Sequence, residues 1–349
     1  MSQPPVIDPD QIPLDAVIMD VRSPEELASG IIPGAVNVPF TDLPGGAEHL
    51  KGKTIVTYCA GGVRSALGAR ILSEHGYGWV ASLRGGIEDW RRSGRELEFL
   101  ADADPMARYA RQTILPGFGR SGQARLIEST VSIVGLGGLG SPVALYLAGA
   151  GVGTIRVIDG DVVDLTNLHR QPVHDETGIS LPKADTAADV MMKLNSQVDV
   201  EAFREELDDT NKLRLLGGSD VIVDATDRIP ARYVINEAAV ELGIPLVHAS
   251  VYQFEGRLTV FEPPDGPCYR CLHPHAPEPD AIPSCETGGV LGTVPATVGA
   301  MQATEVLKIL LGIGTPLVGE MLVYDALTQE SITFRVPKDP ECPVCGAVS

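Results

Sequence analysis

Residues 130–171 read TVSIVGLGGLGSPVALYLAGAGVGTIRVIDGDVVDLTNLHRQ. An apolar, β-branched run (Val131, Ile133, Val134) ends in Gly135, Gly137, Gly138 and Gly140. An alanine- and leucine-rich helix pattern follows, and a second apolar run, Thr154 to Ile158, ends in Asp159. The pattern is a βαβ unit with a glycine-rich first turn. Glycines let the backbone turn tightly and let phosphate oxygens approach bare N–H groups at a helix N-terminus. Asp159, at the tip of the second strand, is placed to accept hydrogen bonds from ribose hydroxyls.

That turn fits an enzyme binding NAD as well as one binding ATP. The residues after it separate the two. Asp159-Gly160-Asp161 leads into Thr166-Asn167-Leu168-His169-Arg170-Gln171, then Lys183, then Asp224-Ala225-Thr226-Asp227. Two cations and several carboxylates behind a nucleotide loop suit a triphosphate with its metal better than a nicotinamide. Against this stands the reading of Arg170 and Lys183 as solvated helix residues. Beyond Lys183 helix and strand patterns alternate. Strands are expected near Val198–Phe203, Asp220–Asp224 and Pro245–His248, and helices near 183–195, 209–216 and 230–242. This predicts a doubly wound parallel sheet with Thr226 and Asp227 at its carboxyl edge, where such sheets bind ligands. Asp227 is the candidate metal-side carboxylate, with a helix N-cap as the competing role. His248 is expected to pack or to satisfy backbone groups.

The chain has 349 residues, enough for two domains, and a net charge of −19. The charge argues against a nucleic-acid partner held by phosphate neutralisation. No N-terminal apolar stretch resembles a signal peptide, and no run approaches the ~18 apolar residues of a membrane span. A cytoplasmic protein is the simplest expectation. Six cysteines in a chain of this length are not a disulfide framework. Four of them form Cys268-Tyr-Arg-Cys271 and Cys342-Pro-Val-Cys345. Two such hairpins give a tetrahedral, closed zinc site, structural rather than catalytic, which would tie the chain end back onto the fold.

The first hundred residues form a separate unit. The opening residues, rich in Pro and Asp, read as poorly ordered. Short strands are expected at Val17–Asp20, Ala35–Val38 and Thr54–Tyr58, and Ser23-Pro24-Glu25-Glu26 reads as a helix start. The third strand ends at Cys59, in the sequence Cys59-Ala-Gly-Gly-Val-Arg64-Ser65, with a helix beginning near Ser65. The N–H groups of such a loop make an anion-binding nest, and the helix dipole adds positive potential. Both favour thiolate, so Cys59 is a candidate nucleophile and Arg64 a source of charge or a brace. Residues 98–106 read as the linker, which gives domains at 1–97 and 107–349.

From about Met106 onward the chain resembles the MoeB/ThiF group of ubiquitin-activating-like adenylyltransferases. The resemblance rests on Arg108-Tyr109-Ala-Arg111-Gln112, Gly135-Leu-Gly-Gly-Leu-Gly140, Asp159-x-Asp161, Asn167-Leu168-His169-Arg170-Gln171, Lys183, Thr226-Asp227 and the two cysteine pairs. One position departs: Arg228 stands where the family usually has Asn. The N-terminal unit resembles a single rhodanese domain, through Asp20-Val-Arg22-Ser-Pro-Glu-Glu26, Gly30-Ile-Ile-Pro-Gly-Ala35, the Cys59 loop and Leu83-Arg-Gly-Gly-Ile-Glu-Asp-Trp90. The four-residue gap between Cys59 and Arg64 favours sulfur chemistry over a phosphatase, which generally has a larger loop.

The fold class expected is therefore α/β: a rhodanese-like domain followed by a Rossmann-like ThiF/MoeB domain with a structural four-cysteine zinc site. The order is the reverse of the familiar fusions, which place the rhodanese unit last. The resemblance implies a persulfide on Cys59 and ATP with Mg²⁺ at the glycine loop and at Asp159, Asp161, Thr166 to Arg170, Lys183, Asp227 and Arg228. It also implies that Arg111 reaches the phosphates of a neighbouring subunit in a homodimer. The implied partners are a small ubiquitin-like sulfur-carrier protein ending in Gly-Gly and an upstream persulfide donor, a cysteine desulfurase or thiosulfate. Cys285, in a glycine-rich segment, is either a helper nucleophile or a bystander. An NAD-dependent oxidoreductase and a non-catalytic scaffold are the alternatives that share the fold. The strands expected at Met321–Tyr324 and Ile332–Val336 share a face with Gln253–Phe261 that suits a docked protein.

Overall fold

The computed structural model describes residues 3–98, 105–277 and 288–346. The chain divides into two compact units, Met1–Arg111 and Gln112–Ser349.

The first unit is built on a parallel five-stranded sheet of β1 (Val6–Ile7), β2 (Val17–Asp20), β3 (Val36–Asn37), β4 (Ile55–Tyr58) and β5 (Val80–Leu83), in the order β1-β5-β4-β2-β3. All four residues of β4 are buried, as expected of a strand flanked by neighbours on both sides. Helices α1 (Val63–Glu74) and α2 (Gly86–Arg92) follow β4 and β5. The opening residues depart from expectation. Val6–Ile7 is an ordered edge strand, because the Ser82 and Arg84 amides donate to the Pro5 and Ile7 carbonyls. A strand of two residues is too short to leave a periodic pattern in sequence. Pro24–Ser29 forms a 3₁₀ helix closed by a capping box between Ser23 and Glu26.

The short helix α3 (Ala110–Thr113) spans the boundary at Arg111, and in the second unit α4 (Gly119–Glu128) leads into an eight-stranded sheet. Its strands are β6 (Thr130–Val134), β7 (Thr154–Ile158), β8 (Asp199–Phe203), β9 (Val221–Asp224), β10 (Leu246–Tyr252), β11 (Glu255–Phe261), β12 (Glu320–Asp325) and β13 (Glu330–Arg335). They run in the order β13-β12-β11-β10-β9-β6-β7-β8. The five strands from β10 to β8 are parallel, as the alternation of helix and strand predicts. The other three are antiparallel, so the sheet is mixed. Only Gln253 and Phe254 separate β10 from β11, with Gln253 at φ 49°. A parallel return needs a crossover of about a dozen residues, so a two-residue link forces a hairpin.

Helices cover both faces of this sheet. On one, α5 (Gly140–Ala150), α6 (Lys183–Leu194) and, beyond a one-turn α9 (Tyr269–Leu272), α10 (Thr293–Leu311) bury Leu147, Met191 and Val298 against Ile133, Ile155 and Val247. On the other, α7 (Lys212–Leu216) and α8 (Ile229–Leu242) bury Leu215, Ile235 and Ala238 against Ile222 and Leu246. Each fully buried Leu or Ile contributes about 1.5–3 kcal/mol. The contact of α5 with α10 depends on Gly299, where a Cβ would stand 2.6 Å from the Leu139 carbonyl oxygen.

Candidate active sites

The residues read as a nucleotide site gather at the carboxyl edge of β6, β7 and β9. Gly135, at φ +92°, leaves β6 into the turn, and a Cβ there would meet Ala225 and Thr226 backbone atoms at 2.9–3.0 Å. A Cβ on Gly140 would stand 1.9 Å from the Gly135 carbonyl oxygen. Gly137 has only the Gln171 amide nitrogen within 4 Å of its Cβ position, at 3.7 Å, and Gly138 faces Pro295 and the Arg170 side chain.

Asp159, at the end of β7, grips this turn. Its Oδ2 accepts from the Leu136 N–H at 2.7 Å and its Oδ1 from the Asp161 N–H at 2.8 Å. Burial holds the Asp159 carboxyl above the usual carboxylate range, opposed by the Lys183 charge and those two N–H donors. Lys183 is buried at the start of α6, and its Nζ lies 2.9 Å from Asp161 Oδ2. Leu165–Asn167 forms one turn of 3₁₀ helix capped by Asp164, which accepts from the Thr166 N–H. Arg170 folds back onto this turn, donating to the Thr166 carbonyl at 3.2 Å and to Asn167 Oδ1 at 2.8 Å, with His169 Nε2 2.8 Å away. Leu168, half-buried, closes the same turn.

Asp227 is exposed, and the N-cap of α8 is Arg228 rather than Asp227. The turn before α8 is held by its neighbours. Asp224 Oδ1 accepts from the Thr226 N–H, the Thr226 hydroxyl accepts from the Arg228 N–H, and Arg232 donates to the Thr226 carbonyl. Arg228 pairs with Glu206, and the fields of Asp161 and Asp227 reinforce its charge. Asp224 Oδ2 bonds His248 Nδ1 at 2.7 Å, both fully enclosed, and burial keeps His248 below its ordinary pKa despite Asp224. His248 is packed as expected, but its partner is the Asp224 carboxylate rather than a backbone group.

In the first unit Cys59 is buried at the end of β4, and its Sγ accepts from the Gly62 N–H at 3.2 Å. The helix behind it, α1, begins at Val63, two residues earlier than expected. Arg64 makes a two-pronged ion pair with Glu26 at 2.6 and 2.7 Å. That contact holds the Glu26 carboxyl down at about 2 and raises the Arg64 guanidinium further. Arg64 therefore braces the loop.

The four thiols read as a metal site converge. Sγ of Cys268 is 3.6 Å from that of Cys342, Sγ of Cys271 is 3.4 Å from that of Cys345, and all four lie within 4.8 Å of one another. A tetrahedral Zn–S bond of ~2.3 Å implies sulfur separations of about 3.8 Å, so this donor set fits a zinc ion. Arg111 is exposed on α3. Cys285 lies outside the described residues.

Further residues, given no role from sequence, support the site. His174 bonds the glycine turn, and Gln171 is buried with its Oε1 unpartnered. Gln302 reaches the Asp224 carbonyl from α10, across 78 positions of sequence. Gln171 was within reach, since it closes the Asn167–Gln171 motif.

The ThiF family model matches residues 109–344 and the rhodanese-like domain model matches residues 9–93. The chain belongs to the ThiF family and carries a rhodanese-like domain ahead of it. It is 49% identical over 247 residues to the SAMP-activating enzyme E1 of Haloferax volcanii, covering 70% of this chain and 90% of that protein. It is 48% identical to the sulfur carrier protein adenylyltransferase of Thermus thermophilus, over 70% of this chain and 92% of that protein. It is 46% identical to the adenylyltransferase and sulfurtransferase MOCS3 of Anopheles gambiae, over 70% of this chain but only 55% of that protein. The chain thus matches about half the length of the MOCS3 relatives. Among solved structures, E. coli MccB with MccA-N7isoASN matches at TM-score 0.61 and 22% identity, over 70% of this chain and 76% of that one, a likeness of fold. The enzyme class read from the sequence, an adenylyltransferase joined to a sulfurtransferase, agrees with these relatives. Among the described residues, no helix is long and apolar enough to cross a membrane.

Proposed function

We propose that this enzyme adenylates the C-terminal Gly-Gly carboxylate of a small ubiquitin-like sulfur-carrier protein and then converts it to a thiocarboxylate with sulfur carried on Cys59. The observation that carries the first half is the gathering of the buried Lys183 ammonium, Asp161, Asp159 and Arg170 round a bare glycine turn. The carrier carboxylate attacks the α-phosphorus of ATP, and the bond to pyrophosphate breaks. Lys183 and Arg170, with Arg111 from a second copy in a homodimer, offset the charge that develops on the phosphates. Asp227 would hold Mg²⁺, which when bound supplies positive charge to the leaving pyrophosphate. Arg228 stands beside it, close enough to feel Asp161 and Asp227.

The second half rests on Cys59, buried at the base of its loop with the Gly62 N–H aimed at its sulfur. A persulfide there, loaded by a cysteine desulfurase or thiosulfate, attacks the acyl-adenylate carbonyl and expels AMP. A second thiol, Cys285 or an external one, then takes Cys59 into a disulfide and leaves the thiocarboxylate, and an external thiol reduces that disulfide. Covalent linkage of the two units raises the local concentration of sulfur over adenylate. The four cysteines would hold a structural Zn²⁺, and the compartment is the cytoplasm.

The test is intact mass spectrometry of a Gly-Gly carrier incubated with this protein, ATP, Mg²⁺ and thiosulfate, for wild type and Cys59→Ala. A sulfur-for-oxygen exchange with wild type alone is expected. Carrier adenylate without sulfur in both would keep the first half and reject Cys59. Nicotinamide binding in place of ATP binding would reject the whole reading.

A further inference from the structure

We infer that His174 is a positioning residue that locks the glycine turn to the helix bearing Lys183, and so fixes the span between the backbone cradle and the cation that meets the phosphates. This rests on the nucleotide reading of the site. His174 is 6% exposed. Its Nε2 lies 3.1 Å from the Leu136 carbonyl oxygen in the glycine turn, and its Nδ1 lies 2.8 Å from the Thr186 hydroxyl on α6. A carbonyl oxygen only accepts, so Nε2 carries the proton. Nδ1 of the neutral ring then accepts the one Thr186 hydroxyl proton at 2.8 Å, in preference to the Lys183 and Pro182 carbonyls at 3.1 and 3.4 Å. Burial holds the ring below its ordinary pKa, with the Lys183 charge acting in the same direction, which keeps it neutral.

These two bonds close a circuit. Asp159 takes the Leu136 N–H on Oδ2 and the Asp161 N–H on Oδ1. Asp161 Oδ2 takes the Lys183 ammonium. Lys183 opens α6, Thr186 follows it by one turn, and His174 returns from Thr186 to the Leu136 carbonyl. The Leu136 peptide is thereby gripped at both ends, its N–H by Asp159 and its C=O by His174. Ser141 Oγ, at 3.4 Å from the same carbonyl, is a longer second donor. Without His174 the Leu136 carbonyl keeps only the longer Ser141 contact, the turn meets α6 through Asp159, Asp161 and the Lys183 N–H bond to the Asp161 carbonyl, and the Leu136 peptide tilts more easily. Adenosine, whose ribose is expected at the Asp159 carboxylate, keeps that carboxylate and its two N–H bonds in the His174 variants and should sense the loss least.

The experiment measures MgATP and adenosine binding by calorimetry on the full chain. His174→Gln places an amide N–H where Nε2 stood, and His174→Asn does not reach Leu136. Thr186→Val removes the donor to Nδ1, and Thr186→Ser keeps it. His174→Asn and Thr186→Val are expected to weaken MgATP about tenfold, the worth of one lost hydrogen bond, with adenosine least affected. His174→Gln and Thr186→Ser recover most of the loss. Equal losses for both ligands, or no rescue by the conservative variants, would overturn the proposal. ¹⁵N NMR of wild-type imidazoles is the check that needs no variant. The Nε2–H tautomer is expected, and an Nδ1–H tautomer at His174 would sink the idea. A wild type that binds no ATP would instead reject the nucleotide reading, and the proposal with it.

Discussion

Two of the glycine-rich turns that follow a parallel strand and open a helix are fixed by different means. The nucleotide turn, from Gly135 to Gly140, is gripped by side chains from elsewhere: Asp159 at 23 positions and His174 at 38 positions from Leu136. The Cys59 turn is gripped mainly by backbone. Cys59 and Ala60 carbonyls accept from the Ile87 and Glu88 amides at the start of α2, and the Gly62 N–H points at the sulfur. Side chains add the Arg64–Glu26 pair at its rim and the Ser65 hydroxyl, which donates to the Gly62 carbonyl at 3.0 Å. A turn held by side chains is adjustable one substitution at a time. Where peptide groups pack with no room for a Cβ, at Gly86 beside the Cys59 turn and at Gly135 and Gly140 in the nucleotide turn, the contact fails as a unit.

Gly86→Ala should break the comparison most sharply. At φ +60° a Cβ would stand 2.1 Å from the Cys59 carbonyl oxygen and 2.5 Å from that of Ala60, and neither backbone atom can move aside. The left-handed conformation and the overpacking together cost about 3 kcal/mol or more. Differential scanning calorimetry should show the first unit melting early or not at all. Gly137→Ala is the contrast, because its Cβ position is open and the melt should stay near wild type. A normal melt for Gly86→Ala would mean that the Cys59 turn is not held by this contact.

Lys183→Ala comes next. It removes the buried cation while leaving Asp161 largely exposed to water, so the fold should survive. Carrier adenylation should fall on the order of 10²–10³-fold, the usual loss for one preorganised electrostatic group. Arg64→Ala in the other turn should cost sulfur loading far less, since Arg64 reaches Glu26 and not the sulfur's N–H donor. Equal losses in the two assays would erase the distinction between a charge that acts on the reacting group and one that braces a loop. Replacing Cys342 with Ser, or stripping metal with a chelator, should lower the melting temperature of the second unit and leave Cys59 reactivity unchanged. A closed four-thiolate site stabilises the fold and offers no open position for chemistry.

These contrasts also explain what the sequence made legible. The glycine turn, the Cys59 loop and the cysteine pairs are local patterns whose chemistry is written within a few residues. The two-residue link at Gln253-Phe254 is local too, but the strands expected from sequence end at His248 and begin again at Gln253, so the hairpin that makes the sheet mixed was not read. His174, Gln302 and the Asp224–His248 pair are not local. Each is an ordinary polar residue until folding brings its partner from 12 to 78 positions away. Hence the groups that would touch ligands were readable, and the groups that hold them were not.

The smallest effect separates the two turns by pH. Glu26 is held at about 2 by its hydrogen bonds to Arg64. A depressed carboxyl stabilises fully above its ordinary value, and that contribution fades only as pH falls towards 2. Both groups are more than a third exposed, so the pair contributes about 1 kcal/mol at most. Asp159 has the opposite sign. Burial raises its pKa, so it takes up a proton before an ordinary carboxyl does as pH falls. Protonation places a hydrogen where Leu136 and Asp161 donate, and the grip on the nucleotide turn weakens. Carboxyl ¹³C titration should therefore find Asp159 titrating above Glu26, with ATP affinity declining on the acid side while the Cys59 brace is intact. Glu26 titrating first would mean that the side-chain brace of the sulfur loop, and not the nucleotide turn, is the more fragile in acid.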